Sequence, residues 1–229
     1  MPPDHGETSY VGSAKLVDKV ALVHGGDHGI GRAVAIAFAR EGADVAIGCL
    51  DEDDDARTTA THVQQAGRRA LLLPGDVRNV AHCEALVRRT IDELGKLDIL
   101  VLNGARRREA AFTELTAEQV ERTFQTNVIA PIHLVQAAVP HLKSGASILI
   151  TGSVTALAGD PRLVDYACSK AAMHNLTLSL SKALAQQGVR VNCVAPGPSF
   201  AQSAASYVFL ASADASFYTG EVLTPAASR

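Results

Sequence analysis

The chain alternates short apolar runs with longer segments in which apolar residues recur at helical spacing. The apolar runs predict buried strands at residues 20–23, 45–49, 70–73, 99–102, 148–150, 189–194 and 221–223. The longer segments predict helices over 30–41, 53–66, 80–94, 166–187 and 204–211, with an interrupted helical stretch over 116–142. Continuous apolar strands that alternate with helices are typical of a parallel sheet covered on both faces. The pattern therefore predicts one doubly wound α/β domain with about seven strands.

The first 16 residues differ from this pattern because they mix Pro, Gly, Ser and charged residues. Such a segment predicts an extended N-terminal arm over residues 1–16. No linker, repeat or shift in composition divides residues 17–229. We therefore expect these residues to form a single domain.

Composition narrows the range of functions. The 229 residues are 47% hydrophobic, and their formal net charge is −3. This composition excludes a disordered chain and gives no general reason to bind nucleic acid or an anionic membrane. No apolar run approaches the ~20 residues that cross a bilayer, and the first residues lack the features of a signal peptide. We expect a cytoplasmic protein with a small-molecule substrate.

The four cysteines, at positions 49, 83, 168 and 193, are widely spaced and form no C-x-x-C pair. This spacing predicts small buried thiols in a reducing compartment. The histidines never stand at ligand spacing from a cysteine or carboxylate, so we expect no metal site.

A glycine-rich turn follows the first strand and leads directly into a helix. Its spacing is G-x-x-x-G-x-G over residues 25–31. Small residues let a backbone approach a pyrophosphate, and a helix N-terminus offers N–H groups to it. A tight turn without a ligand is the alternative interpretation. The candidate cofactor-binding residues of this turn are Gly25, Asp27, His28, Gly29, Ile30 and Gly31.

Acidic residues follow the second predicted strand. Asp51 stands 20 residues after Gly31, where a carboxylate that binds ribose hydroxyls is expected. The following residues Asp53, Asp54 and Asp55 would repel a 2′-phosphate, which slightly favours NAD over NADP. His28 argues weakly for NADP, and the acidic run is also typical of the first turn of a helix. The choice of cofactor therefore stays open.

Tyr166 and Lys170 are four residues apart at the start of the long helix, so they share one face. Ser153 follows the strand at 148–150, at the carboxyl edge where such sheets bind ligands. A tyrosine with a pKa near 10 is a poor acid–base group, and a lysine ammonium one turn away would lower that pKa. A serine hydroxyl can hold a substrate oxygen. These residues predict hydride transfer to or from a carbonyl group.

Asn127 is a fourth candidate. Pro131, four residues later, has no N–H to donate to the carbonyl of Asn127. That carbonyl is then free to bind something else, such as a water in contact with Lys170. An ordinary helix boundary at Asn127 is the alternative.

Together these motifs resemble the short-chain dehydrogenase/reductase family along the whole chain. The matching segments are Gly25-x-x-x-Gly29-Ile30-Gly31, Gly75-Asp76-Val77, Asn103-Gly104-Ala105, Thr126-Asn127, Ser153, Tyr166-x-x-x-Lys170 and Pro196-Gly197-Pro198. Residues 12–16 and 26–32 are similar to a bacterial subgroup of glucose/ribitol dehydrogenase-like oxidoreductases.

The resemblance implies a Rossmann-type fold, NAD or NADP as cofactor, and a homotetramer or homodimer. It implies that Tyr166 is the acid–base group and that Ser153 positions the substrate. Lys170 would lower the pKa of Tyr166 and hold the nicotinamide ribose, and Asn127 would anchor a water. Further cofactor-binding candidates from the resemblance are Asp76, Val77, Asn103, Gly104, Pro196 and Gly197.

Several positions depart from the family pattern. His24 replaces the usual Thr, His28 replaces Ser or Arg, and Gly104 stands where Ala is usual. After Pro198 the chain leads almost at once into the next helix, so we expect the family's substrate lid to be missing or very short. This departure motivates an alternative function, a cofactor-binding protein with little or no catalysis. A lyase or epimerase is a third possibility.

Residues 106–108 are three consecutive arginines after the fourth predicted strand. Such a run is typical of a solvated loop. The alternative is a basic rim that attracts an anionic substrate or the cofactor phosphates.

Overall fold

The computed structural model describes residues 4–51, 53–197 and 201–225. In these residues one seven-stranded parallel sheet has the strand order β3-β2-β1-β4-β5-β6-β7. Its strands are β1 Val20–His24, β2 Asp44–Cys49, β3 Ala70–Pro74, β4 Ile99–Leu102, β5 Ser147–Thr151, β6 Arg190–Val194 and β7 Val222–Leu223. The predicted doubly wound α/β fold is confirmed.

Helices cover both faces of the sheet. They are α1 Gly29–Arg40, α2 Asp54–Gln65, α3 Val80–Leu94, α4 Ala117–Phe124, α5 Ala130–Ala138, α6 Thr155–Ala158, α7 Val164–Ala183 and α8 Ala201–Ala211. Side chains alternate along a strand, so Leu22 of β1 packs into the core beneath α3, α5 and α7. Its neighbour Val23 packs into the opposite core, beneath α1, α2 and α8.

Two features near the predicted site differ from the helices expected from the pattern. The interruption in the 116–142 stretch is a π-helical turn, Gln125–Ile129, between α4 and α5. Pro131 lies in the first turn of α5, where the helical backbone continues from the π-helical turn, so its missing N–H leaves a carbonyl of that turn without a helical donor. Helix α7 begins at Val164, two residues before the predicted start, and a short 3₁₀ turn follows it. The short helix α6 was not predicted, because it has too few residues to show the spacing of apolar positions that marks a helix.

The expected loss of a lid concerns residues 198–200, which lie outside the described residues. Helix α8 begins at Ala201, three residues before its predicted start.

Among the cysteines, Cys49, Cys83 and Cys193 are buried as expected, but Cys168 is exposed on α7, so its expected burial is wrong. None of the helices in the described part of the chain is long and apolar enough to cross a membrane.

The N-terminal arm is held against the end of α1 by one carboxylate. Glu41 is 1% exposed. It accepts hydrogen bonds from the Tyr10 hydroxyl (2.5 Å) and from the backbone N–H groups of Ser13 and Lys15 (both 2.9 Å). Leu16, the next residue, is fully buried. The arm therefore ends in the core beneath α1.

Replacing the carboxylate by an amide tests how much this contact stabilises the fold. Glu41→Gln removes the charge and turns an N–H₂ group toward donors, so we expect the free energy of unfolding to fall by about 2 kcal/mol or more. Tyr10→Phe removes one of the donors and should cost about 1 kcal/mol. Urea unfolding of the three proteins measures both effects, and equal stability of Glu41→Gln and wild type would contradict the assignment.

Candidate active site

Most of the predicted site residues converge at the carboxyl ends of β1, β4 and β5. One cavity there, the Tyr166 cavity, contains both the glycine turn and the start of α7. It is lined by Gly25, His28, Gly29, Ile30, Asn103, Gly104, Ala105, Arg107, Thr151, Tyr166 and Lys170. The glycine turn and the tyrosine–lysine pair, which are far apart in sequence, thus face one space.

A second cavity, the Asp76 cavity, adjoins the first and extends to the ends of β2 and β3. Gly25, His28 and Gly104 line both cavities. Its other lining residues include His24, Asp27, Cys49, Leu50, Gly75, Asp76, Val77, Arg78, Arg106 and Arg122. Six of the residues that the sequence predicted for the site line neither cavity: Gly31, Asp51, Asn127, Ser153, Pro196 and Gly197.

The glycine turn leaves the N-terminus of α1 open. His28 is the N-cap residue but makes no side-chain cap, and the first turn of α1 has no acidic residue. A Cβ atom at Gly31 would lie 1.8 Å from the carbonyl oxygen of Gly25, so only glycine allows this close approach. Free N–H groups at a helix N-terminus bind phosphate. The turn therefore fits the pyrophosphate of a dinucleotide.

Beside the turn, the side chains of Asp27, His28 and Arg32 interact with one another. The Asp27 carboxylate lies 2.7 Å from Nδ1 of His28, and this contact raises the pKa of His28. Arg32 donates to the Asp27 carbonyl (2.9 Å) and to the Asp55 carboxylate (2.5 Å). The positive charges next to the turn are therefore already paired with carboxylates.

Asn103 joins the glycine turn to the neighbouring strands. Its Nδ2 donates to the carbonyl of Gly25 (2.8 Å), and its Oδ1 accepts from the Thr151 hydroxyl (3.1 Å). The hydroxyl of Tyr207 on α8 lies 2.6 Å from the same Thr151 hydroxyl. Asn103 therefore fixes the distance between the turn and the end of β5.

Lys170 is 3% exposed. Its Nζ donates to the Thr151 carbonyl (2.7 Å) and lies 5.7 Å from the centre of the Tyr166 ring. Burial lowers the pKa of Lys170 to about 8 because the charged form is desolvated.

The pKa of Tyr166 differs from the sequence-based expectation. Burial raises it above its ordinary value, while a hydrogen bond from the Ser153 hydroxyl and the charge of Arg107 pull it down. The expected lowering by Lys170 is wrong for the cofactor-free protein. The lysine ammonium is directed at the Thr151 carbonyl and faces the ring of Tyr166, so it makes no hydrogen bond with the phenolic oxygen.

Ser153 is held at both ends. Its Oγ accepts from the Thr155 hydroxyl (2.8 Å) and from the backbone N–H of Thr155 (3.2 Å), so its own hydrogen is left to be donated. Its backbone N–H donates to Nε2 of His174 (3.4 Å), and burial together with the charge of Lys170 lowers the pKa of that histidine. His174 is not among the residues predicted from the sequence, although its place four residues after Lys170 puts it on the same face of α7.

Asn127 acts through its side chain in this structure. It is 1% exposed; its Oδ1 accepts from the backbone N–H of Arg106 (2.7 Å), and its Nδ2 donates to the carbonyl of Arg106 (2.9 Å). Nδ2 also donates to the Ser169 hydroxyl (3.0 Å), which in turn donates to the Tyr166 carbonyl (2.7 Å). Asn127 therefore holds the loop after β4 next to the start of α7.

The arginines at 106–108 lie in an exposed loop, and two of them also line the cavities. Arg107 has a side chain that is 58% exposed and pairs with Glu109 (3.3 Å), as in a solvated loop. It also lines the Tyr166 cavity, and Arg106 lines the Asp76 cavity.

Known proteins resemble this chain along most of its length. Residues 19–207 match the family model for short chain dehydrogenase. An uncharacterized oxidoreductase of Bacillus subtilis is 42% identical over 95% of this chain and 85% of its own length. A glucose and ribitol dehydrogenase of Daucus carota is 35% identical over 97% of this chain and 89% of its own length.

Solved structures give the same result. The crystal structure of a short chain dehydrogenase from Burkholderia cenocepacia in complex with NADP superposes with a TM-score of 0.88 at 32% sequence identity. The match covers 92% of this chain and 97% of that one. The sheet order, the glycine turn, the tyrosine–lysine pair and these relatives lead to one conclusion: the chain belongs to the short-chain dehydrogenase/reductase family of oxidoreductases.

Proposed function

We propose that this enzyme transfers a hydride between a nicotinamide dinucleotide and a carbonyl or secondary alcohol, with Tyr166 as the acid–base group. The observation that carries the proposal is the placement of Tyr166 and Lys170 in the same cavity as the open N-terminal turn of α1. The Ser153 hydroxyl is close enough to Tyr166 to lower the pKa of the phenol. The relatives named as oxidoreductases support the reaction class.

The bound cofactor supplies the hydride in reduction and accepts it in oxidation. In reduction the carbonyl carbon gains the hydride, and the carbonyl oxygen takes the proton of the Tyr166 hydroxyl. The Ser153 hydroxyl holds that oxygen, while its backbone is fixed by His174. The Tyr166 hydroxyl carries this proton at neutral pH, and because burial raises its pKa, a positive charge near the phenol oxygen is needed to make it an effective acid.

We also propose that the enzyme prefers NAD to NADP. Asp51 is exposed directly after β2, where it would repel a 2′-phosphate. Arg32, a cation that could attract such a phosphate, is bound by Asp55 and by the carbonyl of Asp27. The charge of His28 favours NADP, but it is paired with the carboxylate of Asp27.

Exposed apolar side chains support a homodimer or homotetramer. Leu178 on α7 is 44% exposed, and Ile129, just before α5, is 38% exposed. We propose that these two central helices form the contact between subunits, and that the enzyme core binds its small-molecule substrate in the Tyr166 cavity.

Replacing the Tyr166 hydroxyl tests the reaction. With NADH or NADPH and a panel of ketones and aldehydes, wild type should consume the reduced cofactor. Tyr166→Phe should lower kcat by at least about 100-fold, since it removes the proton donor. Tyr218→Phe, at an exposed tyrosine outside the site, is the matched control and should leave kcat unchanged. Tight cofactor binding without turnover on the whole panel would contradict the proposal and favour the non-catalytic alternative.

The cofactor preference is tested by a charge change at the end of β2. We expect a lower KM for NADH than for NADPH, and Asp51→Ser should lower the KM for NADPH about tenfold by removing the repulsion. Asp54→Ser, in the first turn of α2, is the matched control. Equal KM values for the two cofactors in wild type, or an equal response of both variants, would overturn the assignment to Asp51.

The buried Lys170 predicts a pH effect on stability. Its pKa is about 8 in the folded protein and close to 10.5 when unfolded. Between these values the unfolded state binds the extra proton, so stability rises with pH. The free energy of unfolding of wild type should therefore rise relative to Lys170→Met by up to about 3 kcal/mol over this range. Urea unfolding without cofactor at several pH values measures it, and a difference that stays constant with pH would contradict the buried charge.

A further inference from the structure

His24, at the end of β1, carries a buried imidazole. It is 7% exposed, and no group of the described residues forms a hydrogen bond with its Nδ1. The ring lines the Asp76 cavity, which has a volume of about 280 Å³. Buried polar atoms in folded proteins are nearly always hydrogen-bonded, so an unpartnered nitrogen in a ring that lines a cavity points to a ligand.

The ring occupies space that another residue at position 104 would fill. A Cβ atom at Gly104 would lie 2.5 Å from Cε1 and 2.6 Å from Nε2 of His24, closer than real Cβ contacts allow. The φ angle of Gly104 is not in the left-handed region, so its backbone conformation does not require glycine. Gly104 is therefore matched to the imidazole, and a residue with a side chain there would displace the ring.

The imidazole is neutral at physiological pH. Burial lowers the pKa of His24 to about 4; the charge of Asp27 opposes this shift, and the charges of Lys170 and His82 contribute to it. A neutral ring carries one N–H donor and one acceptor nitrogen. His24 can therefore make a hydrogen bond in either direction but offers no charge.

The position of the Asp76 cavity indicates which part of the cofactor would contact the imidazole of His24. The reacting end of a dinucleotide must reach the Tyr166 cavity, and its pyrophosphate fits the glycine turn. The other end then enters the Asp76 cavity, whose walls include Val77, Cys49 and Leu50. Asp76 is already bound by Arg78 through two contacts of 2.9 and 3.0 Å. The lining thus joins apolar side chains, which can pack against a flat heterocycle, to polar side chains, which can bind its sugar.

We propose that His24 is a cofactor-recognition residue whose imidazole hydrogen-bonds the adenosine half of the dinucleotide, in a position that Gly104 keeps open. This inference rests on the proposed function, since it requires the dinucleotide to bind along the glycine turn. It assigns a ligand contact to a position that neither glycine spacing nor the tyrosine–lysine pair identifies.

Binding of ADP-ribose, followed by titration calorimetry, tests the contact without any turnover. His24→Leu keeps an apolar side chain but has no nitrogen, so its Kd should rise about tenfold. His24→Asn, which retains a donor and an acceptor near Nδ1, should stay within about threefold of wild type. His62→Leu is the matched control, because His62 lies on α2 and lines neither cavity. Its Kd should be that of wild type.

The steric pairing is tested in the cofactor-free protein by its melting temperature. Gly104→Ala alone should lower the melting temperature, and the double variant His24→Thr/Gly104→Ala should restore it while ADP-ribose still binds about tenfold more weakly. If His24→Leu binds ADP-ribose as tightly as wild type, the recognition role is wrong. If Gly104→Ala melts like wild type, the pairing is wrong. Failure of wild type itself to bind ADP-ribose and to oxidise NADH or NADPH would overturn the proposed function as well.

Discussion

The side-chain amide of Asn103 joins the carboxyl ends of β1, β4 and β5, and the geometry of both cavities depends on it. One end of the amide donates to the carbonyl of Gly25 in the glycine turn, and the other accepts from Thr151. The carbonyl of Thr151 in turn receives the ammonium of Lys170. The positions of the turn and of α7 are therefore coupled through three contacts, although their residues lie about 140 positions apart in the chain.

Two ionisable side chains in this region are buried with their charged forms disfavoured. The ammonium of Lys170 has the Thr151 carbonyl as its partner, and Nδ1 of His24 has none in the described residues. Both arrangements lower the stability of the protein, because hydrogen bonds offset only part of the cost of removing polar groups from water. A ligand that supplies the missing contacts would offset this cost, as the proposed binding of the dinucleotide would.

The sequence predicted the sheet well because its strands are continuous apolar runs, such as those at Ile99–Leu102 and Ser147–Thr151. It also placed Tyr166 and Lys170 on one face, since that follows from helical spacing alone. It could not show that Glu41 holds the arm, or that His24 meets Gly104, because these contacts join distant positions with no shared pattern. The pKa of Tyr166 was predicted in the wrong direction, since spacing reports a nearby lysine but neither its orientation nor the burial of the phenol.

The acid–base behaviour of Tyr166 is therefore set by the loop after β4 as well as by α7. Two groups lower its pKa, Ser153 and Arg107. Ser153 is held by hydrogen bonds with Thr155 and His174. Arg107 lies in the loop after β4, and Asn127 holds the backbone of that loop at Arg106. Arg107 is largely exposed and shares its charge with Glu109, so solvent weakens its effect on Tyr166. Burial then prevails, and the phenol stays protonated in the free protein. A raised pKa makes the phenol a weaker proton donor to a carbonyl oxygen and also makes the phenolate, which oxidation of an alcohol would need, harder to form. The proposed role of Tyr166 therefore requires a further positive charge near the phenol oxygen in both directions of the reaction.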